Sequence, residues 1–185
     1  DRLVIKQILG NEQVTQYYVV SLIGKTLVLL IAPINTIVIS YLTKRKERLT
    51  RSQFGKAVLA GGGVSLVFFV ACQIGTPLFV WLFYRNLYES VKGIVTVVNL
   101  AQILGLFSAF LFILVLTFTD ERWQLWIQLA HFCILLVSSV LAARTYGMMG
   151  FAVASLGANS LRVAAVVILG IVKAGKDKGD RNADR

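Results

Sequence analysis

Acidic residues are scarce in this sequence. Nine Asp and Glu stand against 19 Lys and Arg, and only 15% of the 185 residues are charged while 57% are hydrophobic. Soluble domains are roughly a quarter charged, so this balance excludes an ordinary soluble globular domain. Histidine occurs once and cysteine twice. Cys72 and Cys133 lie in apolar runs without a CxxC pair, which excludes a disulfide framework and a thiolate metal site. There is no HExxH, GxSxG or GxxxxGK[ST] stretch, and no carboxylate pair inside an apolar run. No catalytic constellation is visible, and a protein that is not an enzyme is expected, a membrane glycosyltransferase or polymerase being the less favoured reading. The chain opens on Asp1 with no signal peptide behind it, from which a fragment is expected.

What the sequence has is apolar length. A membrane span takes about 20 apolar residues to cross about 30 Å of hydrocarbon, and the runs at 17–42, 56–84, 93–118, 123–143 and 147–172 meet that requirement. Residues 1–9 are too short to span, and Gly10-Asn11-Glu12 reads as a turn. That segment reads as the second half of a truncated helix. The runs are rich in Val and Ile, but their length and lack of alternation favour helix over strand. The expected fold is an all-α, polytopic helical membrane protein with five full spans and the end of a sixth over residues 1–172. The tail at 173–185, with alternating charge signs, is expected to be disordered.

Local signals refine that outline. Pro77, behind Gly75-Thr76, is expected to bend or end its span, leaving 78–84 as an interfacial continuation. Pro33 is expected to kink the first full span. Ala57, Gly61 and Ser65 make a small-residue series suited to close helix approach. Gly147-Met148-Met149-Gly150 reads as a tight turn into the last span.

Most of the net charge of +10 sets orientation. Lys44, Arg45, Lys46, Arg48, Arg51 and Lys56 crowd one loop, and Arg122 and the cations of the tail fall on the same side; Arg85, Lys92 and Arg144 fall opposite. The positive-inside rule puts the crowded loop and the C-terminus in the cytoplasm. Nucleic acid is not an expected partner. Trp81, Tyr84, Trp123, Trp126 and the Tyr17-Tyr18 pair fall near span ends, as aromatic belts do.

Four cations lie in apolar segments: Arg2, Lys6, Lys25 and Arg162. A cation at mid-span costs at least about 2.5 kcal/mol on insertion scales and marks a functional site by default. Helical phase places them among polar stripes. Ser21, Lys25, Ala32, Thr36 and Ser40 share a face of the first full span; Ser155, Ala158, Asn159, Arg162 and Ala165 share one on the last. Lys92, Thr96, Asn99 and Gln102 align on the third, and Gln124, Gln128, His131 and Ser138 on the fourth. These stripes are expected to face a bundle interior or a water-filled cavity. Asn99 and Gln102 suit interhelical hydrogen bonds as well as ligand contacts. For Lys25 and Arg162, snorkelling to the interface is the plain alternative; for His131 it is a structural hydrogen bond. Acidic residues stay out of the spans except Asp1, beside Arg2, the candidate for a coupling ion or an ion pair. Several cations with one acid suit an anionic solute such as phosphate or pyrophosphate. The candidate cavity is Arg162, Lys25, Arg2, Asn159, Asn99, Gln102 and Thr36.

Asp1-Arg2, Leu9-Gly10, Val14, Tyr17-Tyr18 and the following Pro33 together resemble the opening of the C-terminal lobe of polysaccharide transporters. These are the O-antigen-type flippases of the multidrug/oligosaccharidyl-lipid/polysaccharide exporter superfamily. The basic loop Lys44–Arg51 and the Tyr146-Gly147…Gly150 lead-in to the last helix are similar to that family as well. The resemblance covers the whole chain and implies one six-helix lobe without its N-terminal counterpart. It further implies a multi-pass protein of the bacterial inner membrane that exports a lipid-linked oligosaccharide, of the polyprenyl-pyrophosphate type, by alternating access. Polysaccharide polymerase or assembly proteins are the partners it implies. A cation-coupled multidrug or metabolite exporter of the same superfamily, and a non-transporting membrane scaffold, are the alternatives.

Overall fold

The computed structural model describes residues 2–44 and 49–174. Asp1, the loop cations at 45–48 and the tail from 175 onward lie outside the described residues, and with them the coupling role expected of Asp1 and the disorder expected of the tail. Every described element is α-helical: α1 (Arg2–Leu9), α2 (Asn11–Lys44), α3 (Arg51–Phe83), α4 (Arg85–Val91), α5 (Val95–Leu116) and α6 (Glu121–Ala174). Three of them, α3, α5 and α6, are long and apolar enough to cross a membrane.

Two glycines make the sharp turns. Gly10 sits at φ 95° between α1 and α2, a conformation costly for any residue with a Cβ. The turn is shorter than the sequence suggests, since Asn11 and Glu12 already form the first turn of α2, where Glu12 complements the helix dipole. Gly147, at φ 62° and ψ −144°, breaks α6 into arms at 121–146 and 148–174. The arms fold back on each other: a Cβ on Gly150 would lie 2.1 Å from the Ala142 carbonyl oxygen, and His131 reaches Asn159 across the hairpin. The turn is thus Gly147 alone, because Met148, Met149 and Gly150 are already helical.

α3 opens on a capping box. Thr50 accepts from the Gln53 backbone N–H, and the Gln53 side chain accepts from the Thr50 backbone N–H. Its other end departs from expectation. The helix passes through Pro77 and stops only at Tyr84, whose backbone leaves the helical region at φ −134° and ψ 46°. A neighbouring helix bonds this stretch. Asn99 of α5 donates to the Cys72 carbonyl at 3.1 Å and to Gln73 Oε1 at 3.0 Å, in the turn before the proline. These bonds tie α3 to α5 just before Pro77, but the carbonyl that the proline leaves without its N–H is the main-chain one of Gln73, four residues back, and neither bond goes to it.

α5 is the centre of the bundle and packs on α2, α3 and α6. Half of its apolar window is buried, against 11% for α3 and 6% for α6. The outer helices turn Leu66, Val67, Leu125 and Trp126 outward, as a surface bathed in lipid requires. Gly61 lets α3 meet α5 closely, since a Cβ there would strike the Phe110 ring at 2.7 Å; the small-residue series serves packing. Two apolar cores result. One gathers Ile5, Tyr17, Val20, Val80, Val98 and Phe151 near the glycine turns. The other gathers Phe54, Phe107, Leu111, Val115 and Val166 toward the far end.

Candidate functional site

Between the two cores, at Gln102–Gly105 of α5, lies a polar layer. α2 approaches so closely that a Cβ on Gly24 would fall 2.8 Å from Gln102 Cβ. Tyr17 of α2 faces the same cavity as Gln102. On the opposite flank Asn159 Nδ2 donates to the Ala101 carbonyl at 2.9 Å, while its Oδ1 lies 3.2 Å from His131 Nε2. A cavity of about 600 Å³ opens at this level between α1, α2, α5 and both arms of α6. Gln7, Tyr17, Gln102, Ser139, Ser155 and Asn159 supply its polar lining, and Leu3, Phe132 and Phe151 part of its apolar wall. Apolar walls with a few converging polar groups are the usual make-up of a ligand site.

Three cations of the apolar segments lie around this layer, Arg2 exposed and Lys25 and Arg162 partly buried. Tyr17 and Phe151 meet edge-on with ring centroids 5.1 Å apart, so the Gly10 and Gly147 turns lie on the same side of the bundle. Lys25 and Arg162 each follow their turn glycine by fifteen residues, about 22 Å at ~1.5 Å per residue. Because Tyr17, eight residues before Lys25, meets Phe151, eleven residues before Arg162, Arg162 lies about a turn deeper than Lys25. Arg2 stacks over the Tyr18 ring at 4.2 Å and Lys25 over the Tyr17 ring at 5.6 Å, contacts that favour a cation most when it is desolvated. The two cations are close enough for their charges to act on each other. Arg162 lies one turn beyond Asn159, half-buried, with its guanidinium 5.1 Å from the Phe112 ring centroid. Its Nε is buried and has no hydrogen-bond partner.

The candidate residues thus divide. Gln102 and Asn159 line the cavity, Arg2 and Lys25 stand by its tyrosine wall, and Arg162 sits a turn further along. Asn99 is fully buried and spent on α3, taking a hydrogen bond from Thr76 at 3.2 Å besides the two it donates. Thr36 is exposed on the distal half of α2, away from this cavity.

The stripes are inward only in part. Ser155 and Ala158 are buried, but Gln128 and Ser40 are exposed, and Ser138 spends its hydroxyl on its own helix at the Ile134 carbonyl. That back-bonding lets a serine sit anywhere on an apolar helix. Tyr17 departs from its expected place as well. Because α2 starts at Asn11, Tyr17 is nearly two turns inside and only 3% exposed, a core residue rather than a belt residue. Gln7, Ser139 and Phe112 were not legible as site residues; the one available signal was that aromatics recur at the depth of the cations. Away from the layer, the Lys92 ammonium donates to Glu89 on the exposed surface. That hydrogen bond, and then the carboxylate's charge, hold Lys92 above the ordinary lysine range.

No family model, curated protein or solved structure matches the chain.

Proposed function

We propose that this chain is one lobe of a membrane transporter that moves a lipid-linked oligosaccharide, holding its phosphate or pyrophosphate at a cationic layer. In this reading α2, α3, α5 and the two arms of α6 are five spans, α1 is the end of a sixth, and the Lys44–Arg51 loop faces the cytoplasm. The observation that carries it is Arg162. A guanidinium half-buried in an apolar bundle keeps an unpartnered Nε, and α3 and α5 contain no Asp or Glu at all. The acids of the other long helices sit in their first turns, at Glu12 and Glu121. An uncompensated buried charge is costly, and an oxyanion is what relieves it. The glycan passes through the opening beside the layer while the polyprenyl chain stays in lipid.

The test is export by cells or flipping in vesicles. Arg162→Ala should abolish movement of the lipid-linked glycan while the protein still inserts at normal levels. Unchanged movement sinks the proposal. A scaffold reading draws on the dry packing of Asn99, and aqueous thiol labelling separates the two: a cysteine at Asn159 reacts in a transporter and stays silent in a scaffold.

A further inference from the structure

Asn159 determines where the proton sits on its neighbour. Its Nδ2 donates to the Ala101 carbonyl, which fixes the amide's direction. Its Oδ1 therefore faces the first arm of α6, and His131 Nε2 is the donor to it. A neutral imidazole protonated at Nε2 keeps its lone pair on Nδ1, so Nδ1 is the atom that takes a second proton. Arg162 lies one turn along from Asn159 on the same arm, next to the residue that holds this imidazole. Among the described residues, the charge that α2 brings to this layer is Lys25, over the Tyr17 ring. α5 presents Ala101, Gly105 and Phe112; α1 carries Arg2 onto Tyr18 and leaves Lys6 exposed; the cations of α3, Arg51 and Lys56, are exposed in its first two turns.

We propose that His131 and Arg162 form one proton-linked anion site, in which an oxyanion of the phosphate class bound at Arg162 draws a proton onto His131 Nδ1. The inference rests on the reading of Arg162 as the anion ligand. An imidazolium beside a guanidinium is disfavoured by like charge, and an anion between them reverses that term. Linkage makes the effect mutual: protonating His131 tightens the anion by the same factor.

Because His131 is the single histidine in the chain, isotope-labelled histidine reports one group only. The full chain in zwitterionic nanodiscs is titrated by NMR with and without sulfate, an oxyanion whose own charge stays constant near neutrality. The expected result is a His131 midpoint raised by about one pH unit on adding sulfate, an effect lost in Arg162→Gln. A midpoint that sulfate leaves unmoved, or moves equally in Arg162→Gln, overturns the linkage. Nanodiscs containing phosphatidylglycerol separate the sources: a raised midpoint without sulfate assigns the anion to bulk lipid, and an unraised one assigns it to a mobile phosphate or pyrophosphate. Loss of glycan movement in Arg162→Ala with no sulfate effect breaks this inference alone; a sulfate effect with glycan movement intact breaks the transport reading and keeps the linkage.

Discussion

Asn99 and Arg162 pose the same problem to an apolar bundle and receive opposite answers. Asn99 is completely buried, and its amide is matched on both ends by Thr76, the Cys72 carbonyl and Gln73. Arg162 carries a full charge, has only the Phe112 face beneath it, and leaves Nε without an acceptor. A buried polar group that finds all its partners fixes two helices together. One that does not is destabilising until something else arrives. Depth and polarity alone do not mark a ligand site; the proposed site rests on a charge that is left unsatisfied.

Substitutions can break or sharpen this contrast. The largest effect is expected at Arg162→Gln. Losing hydrogen bonds to a charged group costs about 1.5–3 kcal/mol, so glycan transport should fall at least about tenfold in a vesicle assay, while the melting temperature holds or rises. Gly150→Ala comes next, because its Cβ would collide with the Ala142 backbone carbonyl at 2.1 Å. Overpacking of this kind costs about 1–3 kcal/mol, and because the hairpin positions His131 against Asn159, stability and transport should fall together. Asn99→Ala should behave the other way round from Arg162→Gln. It strips three partners at once and should lower stability by about 0.6–2 kcal/mol, read by thermal unfolding in detergent, with anion binding unaltered. The smallest effect is expected at Glu89→Gln. The folded-state value of Lys92 is raised, so any stability from the pair is present below the ordinary lysine value and lost as pH climbs through the raised one. The pair is exposed, and no change in unfolding should be measurable near neutral pH.

The helical character and the approximate helix ends were readable because long apolar runs and turn glycines carry them locally. The all-helical bundle and its apolar outer faces follow directly from that. Proline misled at residue 77, where α3 runs on to Phe83 and Asn99, distant in sequence, bonds the turn before it. Helical phase identified Asn159 and Arg162 as neighbours on one face, and they are. Phase did not reveal which polar residues were already satisfied. Ser138 bonds its own helix, Asn99 bonds α3, and Tyr17 turned out to be buried because α2 begins a turn and a half earlier than the apolar run. Gln7 and Ser139 reach the cavity only through the folding of two hairpins, a tertiary fact with no sequence period.

In the proposed reading the polar layer selects a phosphate head rather than a lipid chain. Binding of farnesyl pyrophosphate and of farnesol to the nanodisc-embedded protein, with Arg162→Gln alongside, tests it most directly. The pyrophosphate should bind at least about tenfold more tightly than the alcohol, and Arg162→Gln should remove the difference. Equal binding of the two prenyl compounds, or an undiminished preference in Arg162→Gln, would contradict it.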